Sequence, residues 1–425
     1  MDENSYRPRI IDKSIDEYLG IIGAVSVEGP KWCGKTWTSV YHSNSTIMLA
    51  DPANNFANRE SAKLSLDFVL TGTTPRLIDE WQEVPPIWDA VRYEVDKRGE
   101  NGQFILTGSS TPNHKGILHS GAGRIAKLHM HPMSLFESGD STGQVSIKEI
   151  IEGKFKPVLT GEVDLNDLLY YIIRGGWPKN IGIPVEKAIK LPIRYIEAII
   201  SDDLYRIDGV KRDLDKMNLL LRSLARNEST TVTNNTLIKD IKNKDDGDIN
   251  KETISDYLNI FERLYLINNQ LPFATHIRSS ARIKKAVKRH FCDPSLACAL
   301  LGATPVKLLR DLETTGFLFE ALCERDLQIY AEAMEAKLYH YQDYKNREID
   351  AVIETYEGDW MAIEIKLGAI QIDGAAENLI KLRDSMIEDE KAKPPKWLVV
   401  ICGLTNAAYQ RADGVYVIPI TSLKD

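Results

Sequence analysis

The segment that most constrains this chain is Val25-Ser-Val-Glu-Gly-Pro-Lys-Trp-Cys-Gly-Lys-Thr36, where an apolar run meets a glycine-bounded loop and the start of a helix. Within it, Gly29-Pro30-Lys31-Trp32-Cys33-Gly34-Lys35-Thr36 fits the pattern G-x-x-x-x-G-K-[ST] without a substitution. Gly29 and Gly34 admit backbone angles and a close approach that a Cβ blocks, so successive N–H groups can point inward at an anion. A helix opening near Lys35 adds the positive end of its dipole. In such a loop Lys35 is a mobile charge for the β- and γ-phosphates, and Thr36 offers a hydroxyl to Mg²⁺. All eight loop residues are therefore nucleotide-binding candidates. The alternative, a bland glycine turn, is disfavoured by the apolar strand from Ala24 to Val27 that precedes the loop.

A chain of 425 residues exceeds one ordinary core, and about two to four domains are expected. With 43% hydrophobic and 27% charged residues, the composition is that of a soluble globular protein. No apolar run approaches the roughly 20 residues that span a bilayer, and the start, Met1-Asp-Glu-Asn-Ser-Tyr, is too acidic and polar for a signal peptide. A cytoplasmic protein without a membrane partner is expected. The five cysteines (Cys33, Cys292, Cys298, Cys323, Cys402) form no C-x-x-C pair, which argues against a disulfide framework or a zinc knuckle. Cys33 is an oxidation-sensitive thiol or a plain small residue. A net charge of −8 gives no global attraction to nucleic acid, so any such contact needs a local basic face.

In the first unit, Ile11, Ile15 and Leu19 have helical spacing, and Ser45 to Asp51 reads as a buried strand. Pro75-Arg-Leu-Ile-Asp-Glu-Trp81 is a short apolar run ending in two carboxylates. This suits an interior parallel strand, whose C-terminal edge is where ligands bind in open α/β sheets. Asp79 is placed to hold the Mg²⁺ shell and Glu80 to orient and deprotonate an attacking water, unless the pair merely caps a turn. Gln103-Phe-Ile-Leu-Thr-Gly-Ser-Ser110 is a strand whose Thr107 or Ser109 either senses a γ-phosphate or is a satisfied strand-end hydroxyl. Arg124 either reaches a phosphate, of its own or of a neighbouring subunit, or forms a surface salt bridge. His129 and His131 alternate on a strand and, lacking nearby Cys or acidic partners in sequence, read as ordinary strand residues.

By the phosphate loop, the Ile78-Asp79-Glu80 strand end and the Phe104-to-Ser110 strand, residues 1–165 resemble the AAA+ branch of P-loop ATPases. More narrowly, the chain is similar to an archaeal and bacterial family of uncharacterised ATPases. Glu28-Gly-Pro-Lys-Trp-Cys-Gly-Lys-Thr36, Leu77-Ile-Asp-Glu-Trp-Gln82, Leu106-Thr-Gly-Ser-Ser110 and Gly123-Arg124 carry the likeness. It implies an α/β architecture: a parallel-sheet P-loop NTPase domain, then a helical and winged-helix region and a C-terminal nuclease-like domain. AAA+ relatives often form rings, so a homo-oligomer or a partner protein is a further expectation.

In the helical stretch, 166–230, an apolar helix from Asp167 is stopped by Gly175-Gly-Trp-Pro178, a stop that the family also shows. Helices are expected over Val185–Tyr205 and Arg212–Asn227, and Arg206 and Arg212 are lid residues facing a nucleotide or solvated helix charges. For 231–300 the expected order is a helix from Asn235 to Lys242, a polar loop, a helix from Asn250 to Leu264 and a hairpin wing within Tyr265–Leu271. That order suits a winged helix-turn-helix. The basic run His276 to His290, with Lys284, Lys285 and Lys288, is the segment best suited to nucleic-acid phosphates.

Residues 301–425 change pattern: a helix over Asp311–Ala331, strands at Lys337–Gln342, Glu348–Glu354 and Trp360–Lys366, a helix over Gly374–Glu388 and strands at Trp397–Cys402 and Gly414–Pro419. This order resembles the PD-(D/E)XK nuclease fold. The resemblance matches Asp350 to the motif's Asp, Glu364-Ile-Lys366 to its (D/E)-x-K and Glu320 to its helix carboxylate. Independently, Glu364 and Lys366 lie two apart on a strand and share a face that Asp350 can meet. Carboxylates with a lysine can hold Mg²⁺ and activate water against a phosphodiester, or form a surface charge ladder.

The combined expectation is an ATPase using ATP, rather than GTP, with Mg²⁺. Lys35 would hold phosphate, Thr36 and Asp79 the metal, Glu80 the water and Arg124 the developing charge, with turnover moving the C-terminal module on nucleic acid. The alternative is an ATP-switched interaction protein whose nuclease-like module only binds a partner.

Overall fold

The computed structural model describes residues 6–109, 117–204, 209–210, 212–242, 249–275, 286–343, 347–388 and 392–425. Arg206, Lys284 and Lys285 lie outside these residues, as does most of the basic run before Ala286.

Five apolar runs become β1 (Ala24–Glu28), β2 (Ser45–Met48), β3 (Arg76–Asp79), β4 (Phe104–Gly108) and β5 (Ile125–His129), in the spatial order β2-β3-β4-β1-β5. Every neighbouring pair is parallel. Both faces are covered, as a parallel sheet requires. Val25, Val27, Leu77 and Ile105 face Ile15 of the helix Ile11–Ile21. Ala24, Ile78, Phe104 and Leu106 face Val91 and Val95 of the helix Ile87–Arg98. All the strand C-termini reach one edge, which is the edge that carries the phosphate loop.

The expected boundary near residue 165 does not separate the sheets. β6 (Val145–Ser146) pairs with β16 (Leu423–Lys424), and β7 (Val158–Leu159) pairs with β14 (Ala407–Gln410), so this segment is stitched to the far end of the chain. The C-terminal sheet runs β10 (Lys337–Gln342), β11 (Glu348–Glu354), β12 (Trp360–Gly368), β13 (Trp397–Leu404), β15 (Tyr416–Pro419), β14, β7. Its first three strands are antiparallel, and β12, β13 and β15 are parallel. The helix Leu312–Ala333 packs on one face through Leu318, Phe319 and Leu322. The helix Ile372–Ile387 packs on the other through Ala376 and Leu379.

Between the sheets, the helix Leu165–Arg174 starts at Asp164, whose carboxylate accepts the Asn166 N–H at 2.8 Å, and buries Leu168, Leu169, Ile172 and Ile173. The helices Asn234–Lys242 and Lys251–Arg263 are followed by β8 (Ile267–Gln270), antiparallel to β9 (Lys288–Phe291). The wing therefore differs from the one expected within Tyr265–Leu271: that stretch supplies one strand, and its return strand comes from the end of the basic run. Arg212 is bound to Asp256 at 2.9 Å and presents no free charge to a nucleotide.

One buried ion group ties these parts together. Arg325, on the long helix Leu312–Ala333, donates to Asp293 at 3.0 Å and to Asp326 at 2.7 Å. Asp293 also accepts the Gly176 N–H, and Asp326 accepts the Leu135 N–H. The same helix ends in Glu332, which meets His131 at 3.0 Å, and the His131 ring lies 4.3 Å from that of His129. Burial, with His131 alongside, pushes His129 down to about 3. The acidic partner of this histidine pair comes from a segment 201 residues away.

Replacing Arg325 by Met leaves two buried carboxylates without their cation, and should lower stability by about 3–5 kcal/mol. Chemical denaturation measures this, and adding Asp293→Asn and Asp326→Asn should recover part of the loss. A base with a depressed folded-state pKa takes up its proton first in the unfolded chain, so the His129 contribution to stability falls as pH drops below about 6.5. NMR titration should show His129 neutral down to about pH 3, and His129→Phe should flatten the loss of stability on acidification.

Candidate functional site

The phosphate loop follows β1 and leads into the helix Lys35–Tyr41. Its glycines are required by shape: Gly29 has φ +155°, with the Met130 carbonyl oxygen 2.2 Å from where a Cβ would stand, and Gly34 has φ +111°. Lys35 is buried, and its ammonium donates to the Gly29 and Pro30 carbonyls at 2.9 and 2.8 Å. It thus folds back over its own loop and is held by two loop carbonyls. Cys33 is fully buried, with its thiol 3.5 Å from the Met130 carbonyl oxygen, which corrects the oxidation-sensitive reading and makes it a small core residue.

Opposite the loop, the ends of β3 and β4 converge. Asp79 accepts the Thr36 hydroxyl at 2.9 Å and the Thr107 hydroxyl at 2.7 Å, and Thr107 also accepts the Glu80 N–H at 3.0 Å. Burial raises the Asp79 pKa, with the two hydroxyls acting in the opposite direction. Thr36 and Asp79 form an adjacent pair of hard oxygen donors, the chemistry that suits Mg²⁺. Glu80 has φ +55° and its side chain accepts from Ser109 at 3.0 Å and from Gln82. Thr107 and Ser109 thus take different positions: one orders the acidic strand end, the other holds the Glu80 carboxylate.

Arg124 is not part of this constellation. It precedes β5, its carbonyl accepts the Ala24 N–H at the start of β1, and its side chain pairs with Asp96 at 2.7 Å. The loop begins at the other end of β1, about 16 Å away at the usual rise of a strand. Its expected contact with a phosphate of its own chain is therefore corrected to a salt bridge at the opposite sheet edge.

Residues that sequence reasoning did not assign also shape the loop. The Arg9 guanidinium donates to the Cys33 carbonyl at 2.7 Å and to the His131 carbonyl at 2.8 Å, and pairs with Glu137. Trp32 meets Tyr195 edge-on at 5.3 Å, and Tyr195 meets Trp177 at 4.9 Å. The Gly175-Gly-Trp-Pro178 stop, read only as a helix end, lies against the loop, with Pro178 3.6 Å from the position of a Gly34 Cβ.

A second polar centre lies in the C-terminal sheet. Lys366 bonds Asp350 at 2.9 Å and Glu364 at 2.6 Å, and the Ile365 N–H donates to Asp350 at 2.7 Å. Glu320 joins them from the long helix, and its partner is Lys288 of β9. Lys288 also donates to the Asp350 carbonyl at 3.1 Å and lies 3.8 Å from Glu324. Lys288 is buried, so the expected role of this lysine on nucleic-acid phosphates is corrected to an internal one. Burial pushes Glu320 up to about 7 and Glu364 up to about 8. It also raises Glu324, whereas Lys366 and Lys288 outweigh burial at Asp350 and lower it. Glu324, one helical turn after Glu320, was discoverable from that spacing; Lys288 had no such signal. Among the described residues no three His, Cys, Asp or Glu side chains converge to hold a metal.

No helix among the described residues is long and apolar enough to cross a membrane. A family model described as an AAA domain matches residues 23–138. Models for two domains of unknown function, DUF8612 and DUF4143, match residues 165–307 and 315–423. No curated protein matches the chain. Among solved structures, a Walker-type ATPase of Pyrococcus abyssi is similar at 12% identity and a TM-score of 0.43, covering 71% of this chain and 100% of that one. Drosophila ORC bound to DNA is similar at 13% identity and a TM-score of 0.23, covering 69% of this chain and 94% of that one. The phosphate loop, the parallel sheet and the match over residues 23–138 together make the N-terminal unit a P-loop, AAA-type domain.

Proposed function

We propose that the chain binds ATP with Mg²⁺, hydrolyses it and uses turnover to move or gate its C-terminal module, on nucleic acid. The observation that carries this reading is the Thr36–Asp79–Thr107 hydroxyl–carboxylate chain, with Glu80 set beside it by Ser109. Lys35 would leave its loop carbonyls for the β- and γ-phosphates, while the loop amides hold the phosphate chain. Thr36 and Asp79 would hold Mg²⁺, which when bound spreads the charge that develops on the phosphates. Glu80 would orient the attacking water and take its proton, and Thr107 keeps the neighbouring Asp79 carboxylate in place. Arg124, outside its own site, would serve only a neighbouring chain.

The C-terminal module is read as nuclease-like. Support comes from its three antiparallel strands followed by a parallel one, with Asp350, Glu364 and Lys366 in mutual contact. A second reading, an ATP-switched interaction protein whose module only binds a partner, is favoured by one observation: the carboxylates are already engaged by Lys288 and Lys366.

Glu80→Gln should lower steady-state phosphate release by about 10²–10⁴-fold while ATP binding persists, and Lys35→Ala should lose ATP binding. Undiminished turnover in Glu80→Gln contradicts the assignment, and negligible wild-type turnover with tight ATP binding favours the switch. Incubating the protein with Mg²⁺ or Mn²⁺ and DNA or RNA, with Lys366→Ala as control, tests cleavage.

A further inference from the structure

In the middle of the phosphate loop stands a tryptophan where the backbone suits a glycine. Trp32 has φ +66°, in the left-handed region, and Gly34 has φ +111°. Lys31 and Cys33 do not share the positive sign, so φ alternates along Lys31–Gly34. Such alternation aims successive backbone N–H groups into one hollow, the shape that receives an anion. The left-handed turn at residue 32 therefore belongs to the anion-binding form of the loop. Glycine adopts that turn freely, whereas a bulky side chain is an outlier there and persists only with support from its surroundings.

The support for Trp32 comes from outside the parallel-sheet domain. Its half-exposed ring meets that of Tyr195 at 5.3 Å and 70°, the edge-on geometry that aromatic pairs favour. Tyr195 lies on the helix Lys190–Ala198 and is buried, with Trp177 4.9 Å away. Trp177 is in turn fixed by its indole N–H on Ser295, and the Ser295 hydroxyl donates at 2.5 Å to Asp293, the carboxylate that holds Arg325. The next loop residue has a different brace, since the Cys33 carbonyl accepts from Arg9 at 2.7 Å. Trp32 thus rests on a surface that is anchored through to the buried ion group.

We propose that Trp32 and Tyr195 are a positioning pair: the Tyr195 ring holds Trp32 in its left-handed turn and so presets the loop amides for the phosphates of a nucleotide. The helical stretch thereby completes a site that the parallel-sheet domain does not complete alone. This rests on the nucleotide reading of the loop and adds a residue, distant in sequence, that sets its affinity. The pair acts through the backbone of the loop, with no contact of either ring to the nucleotide required. An effect of that kind is felt equally by the ground state and the transition state, so it shows in KM and not in kcat.

Calorimetric titration of the full chain with ADP and Mg²⁺ reads the affinity, and steady-state ATP turnover separates KM from kcat. Trp32→Ala and Tyr195→Ala should each weaken ADP binding about ten-fold and raise KM for ATP by a similar factor at nearly constant kcat. Tyr195→Phe, which keeps the ring, should retain the affinity. Adding Trp32→Gly to Tyr195→Ala should recover most of the loss, because glycine takes the turn unaided; a general weakening of the core would not be recovered in this way. Unaltered affinity in Trp32→Ala and in folded Tyr195→Ala overturns the pair, and so does a failure of the glycine to recover it. Should Tyr195→Ala not fold, Trp32→Ala against Trp32→Gly carries the same comparison on a half-exposed side chain, and equal weakening in the two overturns the pair. Absence of ADP binding in the wild type overturns the nucleotide reading of the loop and the pair with it, whereas wild-type binding with indifferent variants overturns the pair alone.

Discussion

The arrangement of the whole molecule depends on a guanidinium held between two carboxylates with no access to water. Arg325 cannot shed its charge, and its environment excludes solvent, so Asp293 and Asp326 must be brought to it in correct geometry. Each of those carboxylates has a second obligation. Asp293 accepts the Gly176 N–H beside the phosphate loop, and Asp326 accepts the Leu135 N–H at the start of the segment after β5. Three regions distant in sequence are thereby placed by one cation. Apolar packing alone tolerates small slides; a desolvated, multiply bonded charge does not.

The phosphate loop inherits this order. Gly175 has φ +69°, and a Cβ there would meet Asp293 Oδ1 at 2.3 Å, so the chain can turn against the ion group only without a side chain. The turn then sets Trp177 and Pro178 over the loop, and Trp177 is locked by its indole N–H on Ser295 at 2.9 Å. On the sheet side, Asp79 is the shared acceptor for hydroxyls from two different elements. Any shift of the loop helix relative to β4 therefore disturbs one of these bonds.

The long helix Leu312–Ala333 links the two polar centres. Glu320 and Glu332 are twelve residues apart on it, about 18 Å at the rise of an α-helix. One meets Lys288 of the hairpin; the other meets His131, two residues past His129 at the end of β5. The carboxylate cluster and the edge of the N-terminal sheet are thus held by two points of a single rigid element, one near its middle and one at its C-terminal end. Tyr265, just before β8, adds a second tie through its hydroxyl on Glu28, the last residue before the phosphate loop.

The amino-acid sequence by itself determined the phosphate loop, the acidic end of β3 and the pairing of Asp350, Glu364 and Lys366. Each of these depends on local rules: the conformational freedom of glycine, the period-2 alternation of a strand, the burial of an apolar run. Tertiary structure decided what spacing cannot encode. Arg124, close in sequence to the β5 residues beside the loop, ends at the far edge because strand direction carries it away. Lys288, in a run of charges that read as a solvated nucleic-acid face, is buried because β9 closes on β8 and the hairpin docks on β10. The junction near residue 165 is crossed by β6 and β7, whose partners lie more than two hundred residues onward. In each case the outcome is set by which surfaces meet, a property of the folded chain and not of any window along it.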